Sequence, residues 1–338
     1  MKSWSSLFIF FLVHLAWGQK PIGKQALAFK LDHEAGEIEF ILLDSTLEEN
    51  KPVFLFCQGS LPVPLFIDFK RKAPILLGGG VINFDVENIR KHYHLIVISM
   101  PHTPLIVQKE YLNNRYCYIP DSTQPYSFAH DYIEDDWLEI YRQRGMKVLE
   151  FLRKQSWVDK KKCIVAGHSQ GSKVATKIAA NNPAVSHLGL FAANPMGRID
   201  QYIRQARLDA QLGKISWEEA DKVIEEQFEF FQAAHHPDSL QTKPEYLAWA
   251  SFSEMYLDDW LSLNIPIYMA YGTEDRTADL CDIVPLYFIQ AGKENLSWKR
   301  YLGLEHNFFP LKEDGSTNYE DAKWPEVMSA FVEWTLSP

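Results

Sequence analysis

The apolar run Cys163-Ile164-Val165-Ala166 leads straight into Gly167-His168-Ser169-Gln170-Gly171. The chain leaves that pentapeptide through Ser172-Lys173-Val174-Ala175, with Val174 and Ile178 marking one buried helical face. Few folds accept this order. A short buried strand has to end in a single tight turn and reverse into a helix, the setting in which G-x-S-x-G is informative. Small residues at 167 and 171 permit the close approach of strand and helix. The turn itself lifts Ser169 clear of the sheet, above the N-terminus of the helix that follows.

The same alternation runs through the first half of the chain. Ala26 to Leu31 and Glu37 to Leu43 read as a hairpin, and Val53-Phe54-Leu55-Phe56-Cys57 as a strand covered on both faces. Asn83 to Tyr93 has helical character and His94 to Ser99 reads as another buried strand. Trp137, Ile140, Tyr141, Val148, Phe151 and Leu152 form the stripe of a long helix before the serine strand. Leu188 to Ala193 is again strand-like and ends at Asn194-Pro195.

Residues 198–262 break the rhythm. They are charged and helical, hold no convincing strand, and include the capping box Ser216-Trp217-Glu218-Glu219. Strand rhythm returns with Ile265 to Tyr271, a helix near Asp279 to Gln290, a strand at Trp298 to Leu302 and a last helix begun by Pro325. A chain of 338 residues, 46% hydrophobic, supplies one large core carrying an insertion. The expected division is an α/β core of residues 19–197 and 263–338, interrupted by a helical lid at 198–262.

Lys2 followed by Leu7 to Trp17 reads as a secretory leader, with Ala16-Trp17-Gly18 offering a cleavage site after Gly18. The expected location is therefore secreted or periplasmic, with no stable membrane anchor after cleavage, since the apolar run is short for a membrane span. The 44 acidic against 34 basic side chains give a net charge of −10, which argues against nucleic acid or an anionic membrane as partner. In an exported chain the four cysteines become candidates for disulfides. Cys57 and Cys163 fall within core strands and read as buried thiols. Cys117 and Cys281 lie in or beside connections expected on one face of the sheet; a bridge between them stays open, and the sequence does not fix the pairing.

A serine hydroxyl needs an oriented base to act as a nucleophile. In α/β folds its partners should stand just beyond later strands. Two segments meet that requirement. Ile267 to Tyr271 runs into Gly272-Thr273-Glu274-Asp275, and Lys299 to Leu302 runs into Gly303-Leu304-Glu305-His306-Asn307. Each residue alone reads as ordinary surface chemistry; the order Ser169, Asp275, His306, each after a strand, is what makes them a set.

On these motifs, G-H-S-Q-G, G-T-E-D and G-L-E-H-N, the mature chain resembles the α/β-hydrolases over essentially its whole length. The segment before the serine is similar to the dienelactone-hydrolase and prolyl-oligopeptidase-like branches. The resemblance implies a mostly parallel central sheet flanked by helices. It implies Ser169 as nucleophile, His306 as general base and Asp275 as the acid that orients it, with Glu274 the main rival for that last role. The backbone N–H of Gln170 and that of Ser60, with Gly59 turning the chain, would form the oxyanion hole. The expected activity is hydrolysis of a small-molecule carboxylic ester through an acyl-enzyme, with peptide or amide hydrolysis as the alternative. A binding protein on the same scaffold is a third reading. The chemistry requires neither cofactor nor metal, and oligomeric state stays open.

Two regions bear on specificity. The connection 101–132 carries Tyr111, Tyr116, Tyr118, Tyr126, Phe128 and Tyr132, which either line a binding site or fasten the loop down. The insertion offers Tyr246, Trp249, Phe252, Met255 and Tyr256, which either face substrate or pack the lid on the core. Tyr116, Tyr118, Trp249 and Phe252 are taken as the substrate-contacting candidates. Gly78-Gly79-Gly80, some way beyond the strand end, reads as a flexible turn rather than as part of the site. His92 and His94 lie at the wrong end of the sheet to join it.

Overall fold

The computed structural model describes residues 20–337 except 35, 45, 71, 72, 125 and 126. The expected leader at 1–18, its cleavage site and Tyr126 fall outside the described residues. Among the described residues twelve strands are formed: β1 (Lys20–Ile22), β2 (Ala26–Leu31), β3 (Ile38–Leu42), β4 (Lys51–Cys57), β5 (Phe66–Asp68), β6 (Ile75–Leu76), β7 (His94–Ile98), β8 (Ile106–Gln108), β9 (Val158–His168), β10 (His187–Phe191), β11 (Ile267–Gly272) and β12 (Leu296–Tyr301). Nine of them make one sheet in the order β1-β2-β3-β7-β4-β9-β10-β11-β12. The first three pair antiparallel, as does β3 with β7; from β7 to β12 every pairing is parallel.

Both faces of this sheet are covered. Phe54, Phe56, Ile164, Ala166 and Ala270 point to one side, against helix Trp324–Leu336. Leu55, Val165, Leu190 and Met269 point to the other, against helices Leu138–Arg153 and Gln170–Asn181. Burial on both faces is why these strands read as unbroken apolar runs. Parallel pairing sends these strands out at the same edge, so β4, β9, β10, β11 and β12 deliver their C-terminal loops to one place.

Three elements differ from the sequence reading. A second sheet of order β6-β5-β8 was not expected; its strands have two or three residues, and β5 pairs with the distant β8, Phe66 opposite Ile106. Strand β9 starts five residues before Cys163, through Asp159, Lys160, Lys161 and Lys162. The run 198–262 is helical among its described residues, but its last part belongs to the core: Phe252, Tyr256 and Trp260 are buried in the main cluster, and Trp260 Nε1 donates to Thr176 Oγ1 at 2.8 Å. Four free cysteines replace the bridge left open between Cys117 and Cys281. The Cys281 thiol donates instead to the Ala193 carbonyl at 3.1 Å, and Cys117 to that of Arg115 at 3.7 Å. Among the described residues no helix is long and apolar enough to cross a membrane.

Candidate active site

Ser169 sits between β9 and helix Gln170–Asn181 with φ 55° and ψ −121°, a left-handed conformation that a non-glycine residue adopts only under constraint. The constraint is close packing. A Cβ on Gly167 would lie 2.0 Å from the Gly171 carbonyl oxygen, and one on Gly171 would lie 2.1 Å from the Cys57 carbonyl oxygen at the end of β4. Only glycines let strand and helix meet at this distance. Ser169 N–H donates to Phe191 O at 2.9 Å, which ties the turn to the neighbouring strand.

The loop after β12 reaches this turn. His306 Nε2 is 2.8 Å from Ser169 Oγ, and His306 Nδ1 is 2.8 Å from Asp275 Oδ2. The Asp275 carboxylate has no exposed surface. Thr277 satisfies its second oxygen, through its N–H at 2.9 Å and its hydroxyl at 2.8 Å. Burial would raise the Asp275 pKa, but the His306 hydrogen bond and charge, with the Thr277 donors, hold it below the usual carboxylate value. Burial likewise pulls the His306 imidazole down. The Asp275 hydrogen bond and charge outweigh it, so His306 ends above the ordinary histidine value. With the Nδ1 proton given to Asp275, Nε2 is left to accept from the Ser169 hydroxyl.

Glu274 makes no contact with His306 among the described residues; its N–H donates to Leu304 O at 3.0 Å, joining the two loops. Glu305 caps the turn around His306, accepting from Asn307 N–H at 2.7 Å and Phe309 N–H at 3.1 Å. His168, buried beneath the serine, donates from Nε2 to the His306 carbonyl at 2.8 Å. Burial, with the nearby His306, pushes its pKa down to about 3, so it serves as a neutral donor.

The loop after β4 stands opposite. An added Cβ on Gly59 would lie 3.9 Å from Ser169 Cβ, and Ser60 and Gln170 both border the cavity in front of the serine. Gln58 anchors this loop, its side-chain amide donating to Ile98 O at 2.7 Å. Here the glycine run proves to be more than a flexible turn. Gly78, Gly79 and Gly80 all have positive φ, and a Cβ on Gly79 would fall 2.2 Å from Gln58 Cβ. The run returns to the β4 loop and buttresses it.

The cavity holds about 230 Å³. Ser169, His306, Lys173, Arg198, Tyr202 and Phe252 all border it. Of the four aromatic residues expected to touch substrate, only Phe252 borders it. Trp249 lies behind, its ring 4.0 Å from the Arg198 guanidinium. Tyr116 is exposed and Tyr118 donates its N–H to Pro62 O at 2.8 Å, so this part of the loop is held by backbone pairing, away from the cavity. Sequence reasoning missed Thr277, Lys173 and Arg198. The spacing Asp275-x-Thr277 signals the first as an Asx-type turn. Lys173 and Arg198 resemble solvated surface residues in sequence, and only the position of Arg198 shortly after a strand end hints otherwise.

No family model matches the sequence, and no match was found among curated proteins. Solved structures do match. The acylaminoacyl peptidase of Pyrococcus horikoshii superposes with a TM-score of 0.53 at 13% identity, over 91% of this chain and 41% of its own. A putative dipeptidyl aminopeptidase IV from Bacteroides ovatus gives 0.51 at 11% identity, over 92% and 36%. The chain thus spans about two fifths of the length of these neighbours.

Proposed function

The chain is an α/β-hydrolase by fold, and from that premise we propose that it is a serine hydrolase cleaving a small-molecule carboxylic ester. The observation that carries this reading is the unbroken hydrogen-bonded series Ser169, His306, Asp275, open to a cavity at the serine. In the first step His306 Nε2 takes the hydroxyl proton as Ser169 Oγ bonds to the ester carbonyl carbon. The tetrahedral oxyanion is held by the backbone N–H groups of Gln170 and Ser60. Its collapse breaks the carbon–alkoxy bond, and His306 returns the proton to the departing alcohol. Water then repeats the sequence, giving up its proton to His306, and the acid leaves with Ser169 restored. Asp275 stabilises the imidazolium formed in each half. No metal or cofactor is needed at any step.

The small cavity supports a compact substrate, since sites for drug-sized ligands run from roughly 300 to 1,000 Å³. The part of residues 198–262 that precedes Phe252, which contributes Arg198 and Tyr202 to the lining, acts in this reading as the cap over the serine. The leader at 1–18 supports export to the periplasm or outside the cell. Peptide or amide hydrolysis is the second reading, favoured by the fold likeness to two peptidases. The deciding experiment is labelling by a fluorophosphonate, expected at Ser169 and absent from Ser169→Ala. A panel of short esters and peptide amides follows. Wild-type protein that folds and stays unlabelled would overturn the proposal.

A further inference from the structure

The cavity at Ser169 is lined by two basic side chains. It is bordered by Lys173 and Arg198 and by no aspartate or glutamate, although the chain as a whole carries 44 acidic against 34 basic side chains. The two cations are deployed differently. Lys173 Nζ is spent inside the protein, donating to Gly197 O at 2.5 Å and Phe252 O at 2.6 Å. It therefore clamps the residue before Arg198 to the backbone of the cavity wall. Gly197 is pressed onto the same wall, with φ +119° and room for no Cβ, which would lie 2.6 Å from Ser253 O.

Arg198 is thus mounted rigidly, and its guanidinium is stacked 4.0 Å over the Trp249 ring. The ring contact covers the guanidinium at its central carbon and leaves its N–H donors available for a carboxylate, the partner that the guanidinium fork matches. No hydrogen bond or ion pair from the protein fills those donors among the described residues. Two carboxylates bear on the question: Asp136, its pKa raised by burial and that rise partly offset by the Arg198 charge, accepts from the Tyr141 hydroxyl at 2.6 Å, and Asp200 accepts from Asn194 at 2.9 Å and Arg204 at 2.8 Å, neither of them in an ion pair with Arg198.

We propose that Arg198 determines specificity by binding a carboxylate on the substrate, so that the preferred substrates are small esters bearing a free carboxylate a few bonds from the scissile carbonyl. The inference rests on the serine-hydrolase reading. The small volume sets the distance, because a group spanning Ser169 and Arg198 inside about 230 Å³ has room for only a short chain.

The test compares kcat/KM, by pH-stat, for monomethyl succinate against its neutral near-isostere methyl levulinate. A second pair places the carboxylate on the alcohol side: 3-acetoxypropanoate against 3-acetoxypropanamide. Wild-type enzyme is expected to favour the anionic member of at least one pair by roughly tenfold, about 1.4 kcal/mol, and high salt should shrink that ratio. Arg198→Met should bring the ratio to one or below, with Arg198→Lys intermediate. A wild-type ratio near one in both pairs overturns the inference, as does a ratio that survives Arg198→Met. So does an enzyme that labels at Ser169 yet turns over neither anionic ester. If Arg198→Met does not fold, a salt-independent wild-type preference overturns it equally. Failure of labelling in folded wild-type protein is a separate result, which removes the serine reading itself.

Discussion

At the scale of single residues, the strongest expectations concern His306 and Lys173. Asp275 is what holds the His306 imidazole above its ordinary value against the pull of burial. In the proposed mechanism the neutral imidazole is the base, so kcat/KM should rise with pH through that raised pKa. Asp275→Asn should cost several orders of magnitude in kcat/KM, and the midpoint of the remaining activity should move to lower pH. Glu274→Gln should keep both rate and midpoint; the reverse outcome in a pH–rate series would reassign the acid. Lys173 behaves oppositely, since burial, with the Arg198 charge, pulls its pKa from 10.5 down to about 7. Between those values the unfolded chain binds the extra proton, so this group's contribution to stability improves as pH rises across the window. Below about 7 the lysine is charged in both states and the cost of burying it is present in full. Urea midpoints on either side of neutrality should therefore differ by less in Lys173→Met than in the wild type.

Elements are held at their distances by glycines, and two substitutions separate space from backbone conformation. Gly171→Ala would drive a Cβ to 2.1 Å from Cys57 O and 2.5 Å from Gln58 O, both backbone atoms that have nowhere to go. It should cost about 3 kcal/mol or more in a urea titration, or abolish soluble protein. Gly213, at φ +68° in open space, should cost only about 1 kcal/mol when replaced by alanine. The contrast also explains what the sequence could disclose. Val53 to Cys57 and Ile265 to Tyr271 were legible as strands because burial on both faces leaves no polar residue to interrupt them. The start of β9 was not, since Asp159 to Lys162 lie at the exposed rim of the sheet. Strands β5, β6 and β8 are too short to show a period. Ser169 and Asp275 were visible because each follows such an apolar run, and His306 because its G-L-E-H-N loop comes next in the chain order the other two set up, although the strand before it is half exposed. Arg198 and Lys173 were hidden because a cation beside apolar residues looks in sequence like the wet face of a helix.

For the molecule as a whole, the core rather than any covalent link secures the sheet. All four cysteines are free thiols, and burial raises those of Cys57 and Cys163 to about 12. Adding a reductant should leave the urea midpoint and the activity unchanged, whereas a fall in either would reveal a bridge. Phe331 packs edge-on against Phe191 at 5.3 Å and lies 5.6 Å from Phe54. Phe331→Ala should cost about 3–5 kcal/mol by the same measurement. The site draws together residues remote in sequence: Ser169 and His306 are 137 positions apart and meet at 2.8 Å. His168 then grips the backbone of His306 itself. During synthesis the serine is therefore made long before its base exists. For the 137 positions between them the growing chain carries the hydroxyl without the imidazole. In the proposed reading, hydrolytic power arrives late and all at once, when the final strand docks and brings the imidazole with it. A polypeptide that crosses a membrane before folding would make that journey chemically silent.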